Sequence, residues 1–94
     1  MNKYEAVIMF YPEVEEEKRE ASFTRIKNVM EEHGKINNID EWGMRKLAYE
    51  IEYKQEAYYI FVEFECDPAE ILEINRIARI SDPVMRIMVI KVDE

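Results

Sequence analysis

The stretch AYYIFVEFEC, residues 57–66, runs directly into DPAE, residues 67–70. In an extended chain Tyr58, Ile60, Val62, Phe64 and Cys66 fall on one side, and Tyr59, Phe61, Glu63 and Glu65 on the other. A period of two in an aromatic and β-branched run predicts a strand with one buried face. Asp67 then offers a capping side chain, Pro68 a first helical residue and Glu70 the glutamate three positions after the cap, so a helix is expected from Pro68.

Working forward, Ile71, Ile74 and Ala78, flanked by Leu72 and Ile77, give that helix its core stripe. Ser81-Asp82-Pro83 should end it, and residues 84–92 read as a closing strand. Working backward, residues 36–51 are too long for an ordinary strand of about five or six residues unless the strand bends. Ile36 and Ile39 have opposite parity, and Gly43 is a natural bulge, so a long kinked edge strand is expected, with residues 54–56 as its turn. Leu47, Tyr49 and Ile51 share a parity expected to touch the core, opposite Met44, Lys46 and Ala48.

At the start, Tyr4, Ala6, Ile8 and Phe10 alternate with Lys3, Glu5, Val7 and Met9, again a strand with one buried face. Pro12 ends it, and the acidic residues at 13–17 suit the first turn of a helix reaching about His33. Phe23, Ile26, Val29, Met30 and His33 recur at helical spacing as its inward stripe, and Gly34 suits a left-handed stop. Strand, helix, strand, strand, helix, strand is the order of the α+β, ferredoxin-like split βαβ plan. That plan is a four-stranded antiparallel sheet with two helices on one face, here expected as a single domain over residues 1–94.

The composition agrees: 94 residues with 48% hydrophobic content sustain one core, and no low-complexity linker divides them. The start lacks the pattern of a leader peptide, and no window approaches the roughly 20 apolar residues of a membrane helix, so a cytoplasmic protein without a membrane partner is expected. One cysteine, Cys66, and one histidine, His33, form no metal-ligand or nucleophile–base pair; each is read as structural. With two glycines in the chain no phosphate-cradling loop can be drawn. No catalytic residue, metal site, cofactor or small-molecule substrate is expected.

The formal net charge of −8 argues against general coating of nucleic acid, because phosphate affinity comes from Lys and Arg. The charges are unevenly spread, however. Residues 13–20 carry five acids against two bases, whereas residues 76–91 carry Arg76, Arg79, Arg86 and Lys91 against Asp82 alone. Burying Arg86 without a partner would cost several kcal/mol, roughly, so its side of the last strand should face away from the helices, with Met85, Ile87 and Val89 inward. The helix-free face then presents Val7, Met9, Tyr59, Phe61 and Met88 as candidate protein-interface residues, with Ile90, among Lys3, Glu5, Glu63 and Arg86. So much apolar surface calls for a partner.

Tyr59-x-Phe61-Val62-x-Phe64 overlaps in part the aromatic pattern of RNA-recognition-motif sheets, although Glu63 and Glu65 would repel phosphates. In WGMRKLAYEI, residues 42–51, the adjacent cations Arg45 and Lys46 either protect an edge strand from aggregation or clamp phosphate oxygens. Taken alone, these residues also admit a self-dimerising ferredoxin-like regulatory module or an RNA-recognition-motif-like binder of single-stranded RNA.

Gly43-x-Arg45-Lys46-Leu47-Ala48-Tyr49-x-Ile51 resembles the signature segment of the bacterial small-subunit ribosomal protein S-six family. Lys3-Tyr4-Glu5 resembles the family's start, His33-Gly34 stands where its first helix ends, and Asp82-x-Val84-x-Arg86-x-Met88-x-x-Lys91 resembles its last strand. The resemblance implies a structural component of the ribosome rather than an enzyme. It also implies pairing with ribosomal protein S-eighteen and joint binding to the central domain of small-subunit ribosomal RNA. On matching positions, Lys3, Arg45, Lys46, Arg86 and Lys91 become candidate RNA contacts.

Overall fold

A computed structural model describes residues 1–92; residues 93 and 94 of the expected domain lie outside the described residues. The elements follow in the order β1 (Asn2–Phe10), α1 (Glu16–Glu32), β2 (Gly34–Ile51), β3 (Lys54–Cys66), α2 (Glu70–Arg79) and β4 (Val84–Lys91). All pairings are antiparallel, and the sheet order is β2-β3-β1-β4, so β1 and β3 are central and β2 and β4 are edges. This is the ferredoxin-like plan.

The register explains why one face of the sheet is dry. Tyr4 lies opposite Phe64, Ala6 opposite Val62 and Ile8 opposite Ile60, so the expected apolar sides of β1 and β3 form one surface. Phe23, Ile26 and Met30 of α1 and Ile74 and Ala78 of α2 pack onto it in a single buried cluster. Phe10, Phe64, Ile8 and Ile60 are wholly enclosed there, each worth about 1.5–3 kcal/mol of transfer free energy. From β4 the cluster receives Val84, Ile87 and Val89. Met85 was expected in place of Val84, but the register slips where Met9 faces Arg86 and Phe10 faces Val84, which leaves Met85 as the extra residue of a bulge.

Several other expectations are corrected. α2 begins at Glu70 behind Ala69, with no side-chain cap; Asp67 and Pro68 accept the first turn's bonds through their carbonyls, at 2.9 Å from Glu70 N and 3.2 Å from Ile71 N. Leu72 is 80% exposed, on the outer side of that helix. His33 is not inward: it caps α1 in the open, 3.7 Å from Glu32. Gly34 is required for contact rather than for a left-handed φ. A Cβ there would lie 2.8 Å from the Met30 carbonyl oxygen, 3.0 Å from Cys66 Cβ and closer still to the Glu65 carbonyl oxygen.

The long edge strand is bent as expected, and in more than one place. The β2–β3 register shifts between Ile36 and Asn38, between Glu41 and Gly43, and between Lys46 and Ile51. Gly43, with φ 79°, takes the left-handed conformation that a bulge of this kind needs. The turn falls earlier than residues 54–56: Ile51 pairs with Lys54, and the two residues between them, Glu52 and Tyr53, both have positive φ (50° and 65°). Such a pair marks a two-residue hairpin loop whose twist matches its strands.

Two contacts hold this loop down. The Tyr11 hydroxyl donates to a Glu52 carboxylate oxygen, and Lys54 Nζ lies 2.9 Å from Glu13 Oε1. Both partners precede α1, so the hairpin end is tied to the start of the first helix.

Candidate partner and nucleic-acid interface

The face of the sheet without helices can be built rung by rung from the register. The first rung carries Lys3, Glu65 and Lys35; the second Ile90, Glu5, Glu63 and Asn38; the third Met88, Val7, Phe61 and Asp40; the fourth Arg86, Met9, Tyr59 and Gly43. Charge therefore lies toward one end, apolar surface in the middle, and Arg86 toward the other end.

Trp42 covers the middle. It is the additional residue of the bulge before Gly43, and its ring lies nearly parallel to Phe61 (centroids 5.3 Å, 8°) and stacked on Tyr59 (6.1 Å, 24°). Trp42 Nε1 donates to Asp40 Oδ2 at 3.1 Å, and the Arg45 guanidinium stands 5.5 Å from the indole ring. The ring remains 37% exposed, as does Met88. Sequence periodicity missed Trp42 as a surface residue of this face. The available signal was the pair of parity breaks: the bulges place 35, then 38 and 40, then 43 and 45 opposite the odd residues of β3.

The end of β2 is corrected as well. The register shifts again between Lys46 and Ile51, so alternation does not carry through it; Leu47, Tyr49 and Ile51 are absent from the core cluster, and Tyr49 is 67% exposed. With Ala48 they line a shallow cavity against Met9, Tyr59, Arg86 and Met88. Met9 is only 3% exposed beneath this cover, whereas Val7, Tyr59 and Phe61 are half-buried.

The candidate RNA contacts do not converge on one patch. Lys3 and Arg86 occupy opposite ends of the helix-free face, and Arg45 joins it beside Trp42. Lys46 pairs with Glu56, and Lys91 with Tyr4, on the alternation of the other face. Of the other cations in the basic segment, Arg76 is paired with Glu73, whose carboxyl it holds below the ordinary carboxylate range. Cys66 is buried, and burial pushes its thiol up, so it is not a poised nucleophile. Among the described residues no group of three or more His, Cys, Asp and Glu could hold a metal ion, and no helix is long and apolar enough to cross a membrane.

Comparison with known proteins fits this geometry. The family model described as Ribosomal protein S6 matches residues 3–91. The chain is 41% identical over 95 residues to the small ribosomal subunit protein bS6 of Caldanaerobacter subterraneus subsp. tengcongensis, covering all of both chains. It is 42% identical over 94 residues to that of Alkaliphilus oremlandii, again over the full length of each. The crystal structure of 30S ribosomal protein S6 from Thermotoga maritima superposes with a TM-score of 0.90 at 33% identity, over 97% of this chain and 87% of that one. These relatives are ribosomal proteins, not enzymes. The chain belongs to the ribosomal protein S6 family of the small ribosomal subunit.

Proposed function

We propose that this protein binds the central domain of small-subunit ribosomal RNA together with ribosomal protein S-eighteen, which covers the helix-free sheet face. The observation that carries the reading is that face itself: Val7, Phe61, Trp42, Met88 and Ile90 form an apolar centre over which, among the described residues, no helix packs. A protein partner suits it better than stacked bases, because Trp42 already occupies the aromatic surface of Phe61 and Tyr59. A basic partner also supplies the phosphate affinity that a chain of net charge −8 lacks. Lys3, Arg45, Lys46, Arg86 and Lys91 then add separate contacts around the rim, to phosphate or to the partner.

Titration of folded central-domain RNA across a salt series tests this. Tight, salt-dependent binding is expected with both proteins present and weak binding with either alone. Tight binding by this chain without its partner would refute cooperative assembly. Replacing Arg45 and Lys46 together by Ala should reduce the salt slope by about 1–2 if both meet phosphates.

A further inference from the structure

Glu5 and Glu63 face each other directly across the two central strands, on the helix-free side. Neither carboxylate has a hydrogen bond or ion pair to any described residue. Like charges placed opposite one another in an antiparallel pair destabilise the sheet. The remaining members of their rung, Ile90 and Asn38, carry no charge to offset them. The charges beside that rung are Lys3, Lys35 and Glu65 on one side and Asp40 on the other; Glu65 accepts a bond from Asn37 Nδ2 at 3.0 Å. Next to the carboxylate pair begins the apolar rung of Val7, Phe61 and Met88.

We infer that the occupant of this face seats an arginine or lysine side chain between Glu5 and Glu63, with an apolar side chain beside it on Val7, Phe61 and Met88. The inference rests on the partnership proposed above and specifies its anchor: a segment of the basic partner protein in which a cation adjoins an apolar residue. Two carboxylates on neighbouring strands accept a guanidinium or ammonium group from both sides, and the apolar neighbours shield the resulting bonds from water. The unfavourable pairing in the free chain is thereby relieved on assembly. A purely structural pair of glutamates would have no such dependence on a partner.

The test uses the full chain, purified ribosomal protein S-eighteen, and the variants E5Q and E63Q, with E31Q on the exposed side of α1 as a control. E63Q and E5Q are expected to raise the melting temperature of the free protein, by up to about 4–8 °C. Each is also expected to weaken the complex by about 30-fold or more and to reduce its salt dependence, while E31Q changes neither. Undiminished affinity of both variants, with the wild type binding normally, would overturn this anchor and leave the partnership standing. Loss of stability and affinity together would overturn it too, because the glutamates would then be supporting the fold. Failure of the wild type to bind S-eighteen at all would overturn the partnership and the anchor with it.

Discussion

The two glycines respond to substitution for different reasons, and the contrast tests how β2 is placed. At an ordinary φ, Gly→Ala stabilises a protein by about 0.4–1 kcal/mol through the unfolded chain. Gly34 has no positive φ, yet two of the three atoms nearest its missing Cβ are backbone carbonyl oxygens, of Met30 on α1 and Glu65 on β3. Carbonyls held in a helix and a sheet cannot rotate aside, so an overpacking cost of about 1–3 kcal/mol outweighs the entropic gain. Gly34→Ala should lose about 1–2 kcal/mol net, or about 4–8 °C of melting temperature per kcal/mol. Gly43 has nothing within 4 Å but a φ of 79°, so Gly43→Ala should cost about 1–2 kcal/mol through the backbone alone. Asparagine separates the mechanisms. It enters the left-handed region readily, so Gly43→Asn recovers most of the loss, whereas Gly34→Asn adds atoms to an occupied space and costs at least as much as Ala. Urea titrations followed by circular dichroism read all four variants. An unchanged or raised midpoint for Gly34→Ala, or the same Ala–Asn ranking at both sites, would refute this account.

Trp42 is the chain's one tryptophan and sits on the face assigned to the partner, so its emission should move to shorter wavelength when S-eighteen binds; unaltered emission in a complex proven by light scattering would put the partner elsewhere. The hairpin tether should be limited at both ends of the pH scale. Lys54 lowers the Glu13 carboxyl from its ordinary 4.5, so this contribution is present above that value and lost as pH falls through the depressed one. The Glu52 carboxylate raises the Tyr11 hydroxyl above 10.0, so that contribution is present below 10.0 and lost as pH rises through the raised value. Protection of the Glu52–Lys54 segment against hydrogen exchange, corrected for intrinsic rates, should therefore be greatest between those limits, and Tyr11→Phe should abolish the alkaline loss alone.

What could be read in advance followed from regular alternation. β1 and β3 alternate without interruption, so their buried and open sides were assigned correctly residue by residue. The Ile36–Ile39 parity break and Gly43 located two of the three irregularities in β2. Beyond them periodicity fails, because an apolar residue in this strand does not imply the core. The fold has a second apolar surface, and the bulges send Trp42 and Leu47 to it. Met85 departs from the alternation because a bulge in β4 inserts one residue that a period of two cannot register. That Val7, Met9, Tyr59, Phe61 and Met88 share one side of the sheet is legible in the alternation, while the scatter of the five candidate cations depends on a register that composition does not contain.

The three irregularities of β2 also bear on what this edge cannot do. They divide its pairing with β3 into runs of three residues (Gly34 to Ile36), four (Asn38 to Glu41) and four (Gly43 to Lys46) before the final rung at Ile51. Cross-β stacking recruits flat segments of about six or seven residues. No stretch of this edge offers so long a template, so a subunit waiting unassembled presents its longest strand in pieces too short for another chain to zip along.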